Sequence, residues 1–504
     1  MEVADSILDL IGNTPLVRMR RVLAGVPCDV LAKLEMLNPG GSVKDRPAVA
    51  MIDAAERDGL LAPGGTIIEP TSGNTGVGLA MVAARRDYRC IFVMTDKVSE
   101  EKVQLLRAYG AEVVICPVAV APDDPDSYYS TAERLVAETP GAYRPNQYFN
   151  QVNPLAHERS TGPELWRQTG GRITHFVAGA GTGGTLAGVG RYLKAQNPAV
   201  QVIGADPEGS IFSGGSGRPY LVEGIGEDFW PETYDRSVVD RVIPVSDRDS
   251  FEMARAVSRR EGLLIGGSGG TVVCAAREVA RECGSGDVVV LLLPDAGRGY
   301  LSKVFNDAWM ASHGFLIGER PCVGDVLDAR AGAVPPLVYV HPGDPVRLAV
   351  TRMRDYGVSQ LPVAKGDLPL TAAEVVGSVD ELQLMALAFD GDLLGRPVGE
   401  VMNRPLERIG IGEPVTLAVA KLERSPALLV LDGGCPRAVV SRTDVLGFLS
   451  AGYPGEPVPP GEDGSTQPGN DAAPSGPSGP SERSERPVAS RPAPGVRRDG
   501  SDRR

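Results

Sequence analysis

The sequence predicts an α/β protein: parallel sheets covered by helices, then a smaller α/β unit in two copies. Three observations carry that expectation. Between about residues 25 and 310, short β-branched runs alternate with amphipathic stretches. Between 321 and 451 one pattern occurs twice: "VGDVL" at 323 returns as "VGEVM" at 398, and "GDPVRLAV" at 343 as "GEPVTLAV" at 412. From 452 onward about half of the residues are Pro, Gly or Ser, and Leu, Ile, Met, Phe and Trp are absent, so disorder is expected there.

The strand candidates, in order, are "GTIIEP", "RCIFVMT", "AEVVICP", "THFVAGA", "VQVIGAD" and "DVVVLLLPD". Near-continuous apolar runs of this kind suit strands buried on both faces, as in parallel sheets. Between them, "SEEKVQLLRAYG", "TLAGVGRYLKAQ" and "SFEMARAVSRREG" have helical periodicity. Sheets built this way place ligands at the carboxyl ends of their strands.

The 504 residues leave room for about two to four domains, and 42% apolar composition is enough for sizeable cores. A net charge of -13 argues against a nucleic-acid partner. Seven cysteines lie scattered without C-x-x-C spacing, and four histidines lie far apart, so no metal site is expected. The acidic start "MEVADSILDL" is unlike a signal peptide, and the apolar run "VVVLLL" stops at Pro294. A soluble, cytoplasmic protein without a membrane partner is the expectation.

Four stretches carry chemistry. "GGSVKDR" sets Lys44 at the mouth of a predicted helix, either as a surface charge or as a reactive amine. "EPTSGNTGVGLA" runs off a strand into a helix, and its hydroxyls and amide suit an anion clamp; an ordinary N-cap is the alternative. "GAGTGGT" satisfies G-x-G-x-x-G with Asp206 after the next strand, which fits a dinucleotide fingerprint. A cup for a single phosphate is preferred, because nothing upstream supplies the first strand-helix-strand unit of a dinucleotide domain. "IGGSGGT" satisfies G-x-S-x-G, with Asp295 and His313 in hydrolase order, or else aims Ser268 at a ligand. A reactive lysine, an anion clamp, a phosphate cup and an isolated serine fit together as a pyridoxal phosphate site.

With these motifs in their order, and "IGNTPLV" ahead of them, residues 5–316 resemble the fold type II pyridoxal enzymes of the cysteine synthase/cystathionine β-synthase family. The resemblance implies two parallel-sheet subdomains. It implies Lys44 as the Schiff-base lysine, Asn74 beside the cofactor's 3'-oxygen, Gly181, Thr182, Gly183, Gly184 and Thr185 around the phosphate, and Ser268 at the ring nitrogen. Thr71, Ser72, Gly73, Thr75, Gln147 and Gly224 would bind substrate. Glu223 in "VEGIGEDFWP" and Tyr148 in "NQYFNQVNP" resemble the cystathionine β-synthase branch, where both would help hydroxide leave serine. The implied reaction joins L-serine to L-homocysteine. The alternatives are cysteine synthesis from O-acetylserine and sulfide, and a non-catalytic nucleotide sensor.

The repeated unit resembles a tandem CBS-domain (Bateman) module, which implies an adenosyl ligand such as S-adenosylmethionine. Ser441 and Asp444 would bind it in the second copy, and Ser378 and Glu381 in the first. Residues 5–451 resemble the actinobacterial type, with no haem and with assembly as a homodimer or homotetramer. The expected boundaries are 1–318 for the catalytic domain, 319–451 for the module (repeats about 321–390 and 396–451) and 452–504 for the tail.

Overall fold

The computed structural model describes residues 3–71, 73–96, 98–117, 120, 124–318, 320–330, 337–387 and 393–450. The expected disordered tail and the substrate candidate Ser72 lie outside the described residues.

In chain order the strands of the first part are β1 (Leu16–Arg18), β2 (Asp29–Leu34), β3 (Thr66–Pro70), β4 (Arg89–Thr95), β5 (Glu112–Cys116), β6 (Ala142–Tyr143), β7 (His175–Gly179), β8 (Gln201–Pro207), β9 (Arg241–Val245) and β10 (Val288–Leu293). They form a six-stranded sheet of order β1-β2-β10-β7-β8-β9 and a four-stranded sheet of order β5-β4-β3-β6. Every pairing is parallel except β1 on β2. β1 was not among the strand candidates: it has three residues, and none of them is fully buried.

The central strand β10 shows why its sequence is apolar throughout. Val289, Leu291 and Leu293 join the core on one face, with Val177 and Val273. Val288, Val290 and Leu292 join the core on the other, with Phe176 and Leu186. The period of two sends successive residues into two different cores. The amphipathic stretches form the helices Glu100–Ala108, Gly184–Gln196 and Asp247–Glu261. The last is capped by the Ser246 side chain on the Asp249 N–H and ends at Gly262, whose φ of 75° suits glycine.

A buried ion network braces the chain around "KDR". Arg46 bonds Glu35 through Nε at 2.7 Å and Glu164 through Nη1 at 2.7 Å. Lys33 donates to Glu164 at 2.7 Å and to the Thr14 carbonyl at 2.7 Å. Lys33 and Glu35 are fully buried. The network ties β2 to the helices Asp45–Arg57 and Thr161–Thr169. Burial by itself would raise the Glu164 carboxyl, but Arg46 and Lys33 hold it down to about 2.

The second part has β11 (Gln360–Ala364), β12 (Val375–Asp380), β13 (Glu407–Gly410), β14 (Ala427–Asp432) and β15 (Cys435–Ser441), in sheets β11-β12 and β13-β14-β15. Here the folding units cut across the sequence repeats. Helix Val323–Asp328, which opens the first copy, packs on the helices Val415–Leu422 and Arg442–Ser450 of the second. Val398 and Val401, which open the second copy, join the core of the first beside Val346 and Met353. The Val323 N–H donates to Glu413 O and the Val398 N–H to Asp344 O. Each small unit thus completes its core with a segment from the other copy, which agrees with neither copy being large enough alone. The module touches the first part through Arg248 on Asp432 at 2.7 Å and through Arg218 on Glu374 at 3.2 Å. No helix among the described residues is long and apolar enough to cross a membrane.

Glu164→Gln should lower stability at neutral pH by about 3 kcal/mol, because it removes a buried carboxylate shared by two cations. A carboxyl held down in the folded chain stabilises it above the ordinary value of 4.5 and loses that contribution as pH falls towards 2. Denaturant melts of the two chains should therefore differ at neutral pH and converge on acidification.

Candidate active site

Lys44 stands where the two sheets meet. The Val43 N–H donates to Pro294 O at 2.8 Å, and Ser42 bridges Asp295, so the lysine's segment runs beside the carboxyl end of β10. Asp45 accepts the Gly40 N–H at 2.6 Å, which closes the turn before the helix Asp45–Arg57. Burial pushes the Lys44 amine below its ordinary value, against the opposing effects of Glu227 and Asp295.

A cavity of about 190 Å³ brings together Lys44, Thr71, Gln147, Tyr148, Thr182 and Gly224. Thr75 donates to Gln147 Oε1 at 2.6 Å, and Gln147 Nε2 donates to Pro70 O. Glu69, at the end of β3, accepts the N–H groups of Asn146 and Gln147 at 2.8 Å and so holds that loop in place. Burial raises the Glu69 carboxyl to about 7. Gly73 precedes the helix Asn74–Arg86 with a φ of 120°, and its N–H reaches Thr71 Oγ1 at 3.2 Å.

The 181–185 turn is a cradle in which side chains have no room. A Cβ at Gly183 (φ 84°) would lie 2.5 Å from the Tyr234 backbone, and one at Gly184 would overlap the Asn153 amide. Asn153 Nδ2 donates to Thr182 Oγ1 at 3.1 Å, and Thr185 Oγ1 meets His157 Nε2 at 3.3 Å. Helix Gly184–Gln196 starts here, so its first N–H groups face the turn. Ser268 is buried in the first turn of the helix Gly267–Glu282.

The hydrolase alternative finds no support. Among the described residues Ser268 makes no hydrogen bond to Asp295 or His313; the His313 ring bonds the Trp309 carbonyl and Ser312 instead. Asp206 is fully buried and accepts the Ser213 N–H, which removes it from a ribose-binding role.

Glu223 departs from its expected place beside a leaving group. Lys303 holds one of its oxygens at 2.9 Å and Lys102 the other at 3.3 Å, and the side chain is 2% exposed. That carboxylate is committed to ion pairs, and it is the following residues, Gly224 and Ile225, that reach the cavity. Tyr148 does line the cavity and meets the Tyr128 hydroxyl at 3.2 Å. Sequence reasoning missed Tyr128, Tyr220, Glu227 and Asp228 in the cavity wall, and Ala373 of the second part on its rim. It also missed Lys102 and Tyr300, which lie outside the quoted motifs, and Glu69, which opens one of them.

In the second part Asp444 bonds Ser441 Oγ at 2.7 Å and pairs with Arg330 at 2.9 Å. Ser378 donates to Arg404 O at 2.7 Å. Ser441 and Asp380 each end a strand and bond the backbone three residues on, so Asp380 corresponds to Ser441 and Gln383 to Asp444. The expected partners Ser378 and Glu381 thus lie two residues before the positions that this cap geometry matches to Ser441 and Asp444.

Residues 7–295 match the family model for pyridoxal-phosphate dependent enzymes, and residues 323–383 match that for CBS domains. The fold is thus that of a pyridoxal-phosphate dependent enzyme followed by a CBS domain. Cystathionine beta-synthase of Rattus norvegicus is 45% identical over 374 residues, covering 72% of this chain and 66% of its own length, just under two thirds. Cystathionine beta-synthase of Dictyostelium discoideum is 36% identical over 464 residues, covering 89% of this chain and 92% of its own. The solved O-acetylserine dependent cystathionine beta-synthase from Helicobacter pylori matches with a TM-score of 0.57 and 39% identity, over 60% of this chain and 99% of that one. The chain belongs to the family of pyridoxal-phosphate dependent enzymes and groups with these cystathionine beta-synthases.

The cradle fits the cofactor of that family: a glycine turn that excludes Cβ atoms, two threonine hydroxyls and a helix start for a phosphate, and an amine in the same cavity. Gly183→Ala should cost about 1–3 kcal/mol of stability through backbone strain, and the purified protein should carry less cofactor than the unaltered chain, read from its visible absorption.

Proposed function

We propose that the protein replaces the β-substituent of L-serine with the sulfur of L-homocysteine, giving L-cystathionine and water. The observation that carries this reading is Lys44, a desolvated amine in one cavity with Thr71, Gln147 and Tyr148. When bound, the cofactor supplies an electron sink for the charge left at the substrate's Cα. Gly181, Thr182, Gly183, Gly184 and Thr185 would hold its phosphate, Asn74 its 3'-oxygen and Ser268 its ring nitrogen.

Thr71, Thr75 and Gln147 bind the substrate carboxylate, which aligns the Cα–H bond towards Lys44. The Lys44 amine, kept neutral by burial, takes that proton and later returns it. Burial also pushes the Tyr148 phenol well above its ordinary value, so it remains a proton donor and can hydrogen-bond the departing hydroxyl. A second reading takes O-acetylserine as the donor; the likeness to the Helicobacter pylori enzyme favours it.

The test is a product assay of the purified protein with serine plus homocysteine against O-acetylserine plus sulfide. Cystathionine from the first mixture supports the proposal; activity with the second mixture alone overturns it. Tyr148→Phe should slow turnover of serine by on the order of tenfold or more and spare O-acetylserine, whose acetate leaves without help. Equal losses with both donors would assign Tyr148 to packing.

The module would take an adenosyl ligand, most plainly S-adenosylmethionine, with Asp444 on the ribose. That requires Arg330 to release Asp444. At a hundredfold excess over its Kd the ligand should stabilise the chain by about 2.7 kcal/mol, and Asp444→Ala should abolish that shift in thermal melts. Calorimetry that detects no binding would make the module a structural one.

A further inference from the structure

Five groups that the proposed mechanism leaves idle meet behind the cavity. Asn74 Nδ2 donates to Asp295 Oδ2 at 2.7 Å. The Tyr300 hydroxyl donates to the same oxygen at 2.5 Å. Lys102 Nζ donates to that hydroxyl at 2.6 Å and lies 4.0 Å from Asp295. Glu223 joins Lys102 to Lys303. Lys102 and Asp295 are nearly solvent-free, at 3% and 2% exposure. The two lysines balance the two carboxylates, so the cluster is neutral as a whole.

The contacts cross from one sheet to the other. Asn74 follows β3, and Lys102 lies on the helix Glu100–Ala108, both on the side of the four-stranded sheet. Asp295 and Tyr300 follow β10 of the six-stranded sheet. The carboxylate has no room to turn away: a Cβ at Gly266 would collide with its Oδ1 and would lie 2.7 Å from the Tyr300 ring. Among the described residues that Oδ1 has no hydrogen-bond partner. Burial and the neighbouring carboxylates push the Tyr300 phenol well above its ordinary value, so it keeps its proton and donates it to Asp295, while its oxygen lies close enough to the Asn74 side chain to accept from it as well.

A side-chain amide can present either its oxygen or its nitrogen to a ligand, and only its partners decide which. We propose that Asp295, anchored by Tyr300 and Lys102, is a positioning residue that fixes the Asn74 amide with its nitrogen towards the cofactor's 3'-oxygen. One N–H is held by Asp295 Oδ2, and the second is left to donate to the cofactor. Without Asp295 the amide can turn its carbonyl to that oxygen, where two acceptors would repel. Asp295 touches neither substrate nor reacting atoms in this role; it acts through Asn74.

The experiment compares the visible absorption spectrum of the holoenzyme, and its rate of cofactor loss on dialysis, in the unaltered chain, Asp295→Ala, Asn74→Ala and the double variant. Loss of an N–H donor disfavours the anionic 3'-oxygen, so Asp295→Ala should move the absorption to shorter wavelength, in the same direction as Asn74→Ala. Cofactor should leave faster by on the order of tenfold. The double variant should go no further than Asn74→Ala alone, because both changes remove one interaction. Asp295→Leu fills the space and serves as the acceptor-free variant should the alanine chain fail to fold. An unchanged spectrum in either Asp295 variant, or losses that add in full in the double variant, would overturn the proposal and leave Asp295 a structural residue.

Discussion

The burial of Arg46 between Glu35 and Glu164 is the constraint on which the site depends. A guanidinium cannot leave water unless its charge and donors are matched, so these partners have to converge in one geometry. They come from the end of β2, the helix Asp45–Arg57 and the helix Thr161–Thr169. Lys44 immediately precedes this anchored stretch. Its position at the meeting of the two sheets is thus set by a network in which it takes no part, and among the described residues its own amine has no ion-pair partner and is open to desolvation.

That separation explains how one short segment holds two cations with opposite fates. Arg46 keeps its charge because two carboxylates surround it. Lys44 is driven towards the neutral amine because burial outweighs the more distant Glu227 and Asp295. The same logic recurs behind the cavity, where Lys102 and Lys303 keep their partners among Glu223, Asp295 and Tyr300. Arg46, Lys102 and Lys303 each meet a carboxylate, whereas among the described residues Lys44 has no ion-pair partner.

Much of this was legible in the chain. Glycine-rich turns announce themselves, because a missing Cβ is demanded by local backbone contact, as at Gly183 and Gly184. The alternating cores on β10 follow from an unbroken apolar run. Glu223 was harder: its neighbours Gly224 and Ile225 line the cavity, while its own carboxylate turns away to two lysines remote in sequence. The exchange of leading segments between the two small units was also hidden, since identical patterns in both copies allow either pairing. Only the packing of Val398 against Val346, and of Val323 beside Glu413, decides it.

By itself the sequence determined the α/β class, the doubled C-terminal unit and the motif residues at strand ends, because periodicity and glycine demand are local properties of the chain. Only the tertiary structure decided which charges meet. Lys33, Arg46 and Lys102 look alike as solvated residues in the sequence, and each becomes buried with a partner more than a hundred residues away. Ion pairing depends on distance in space through Coulomb's law and on the loss of water around it, and neither quantity is written in the order of residues.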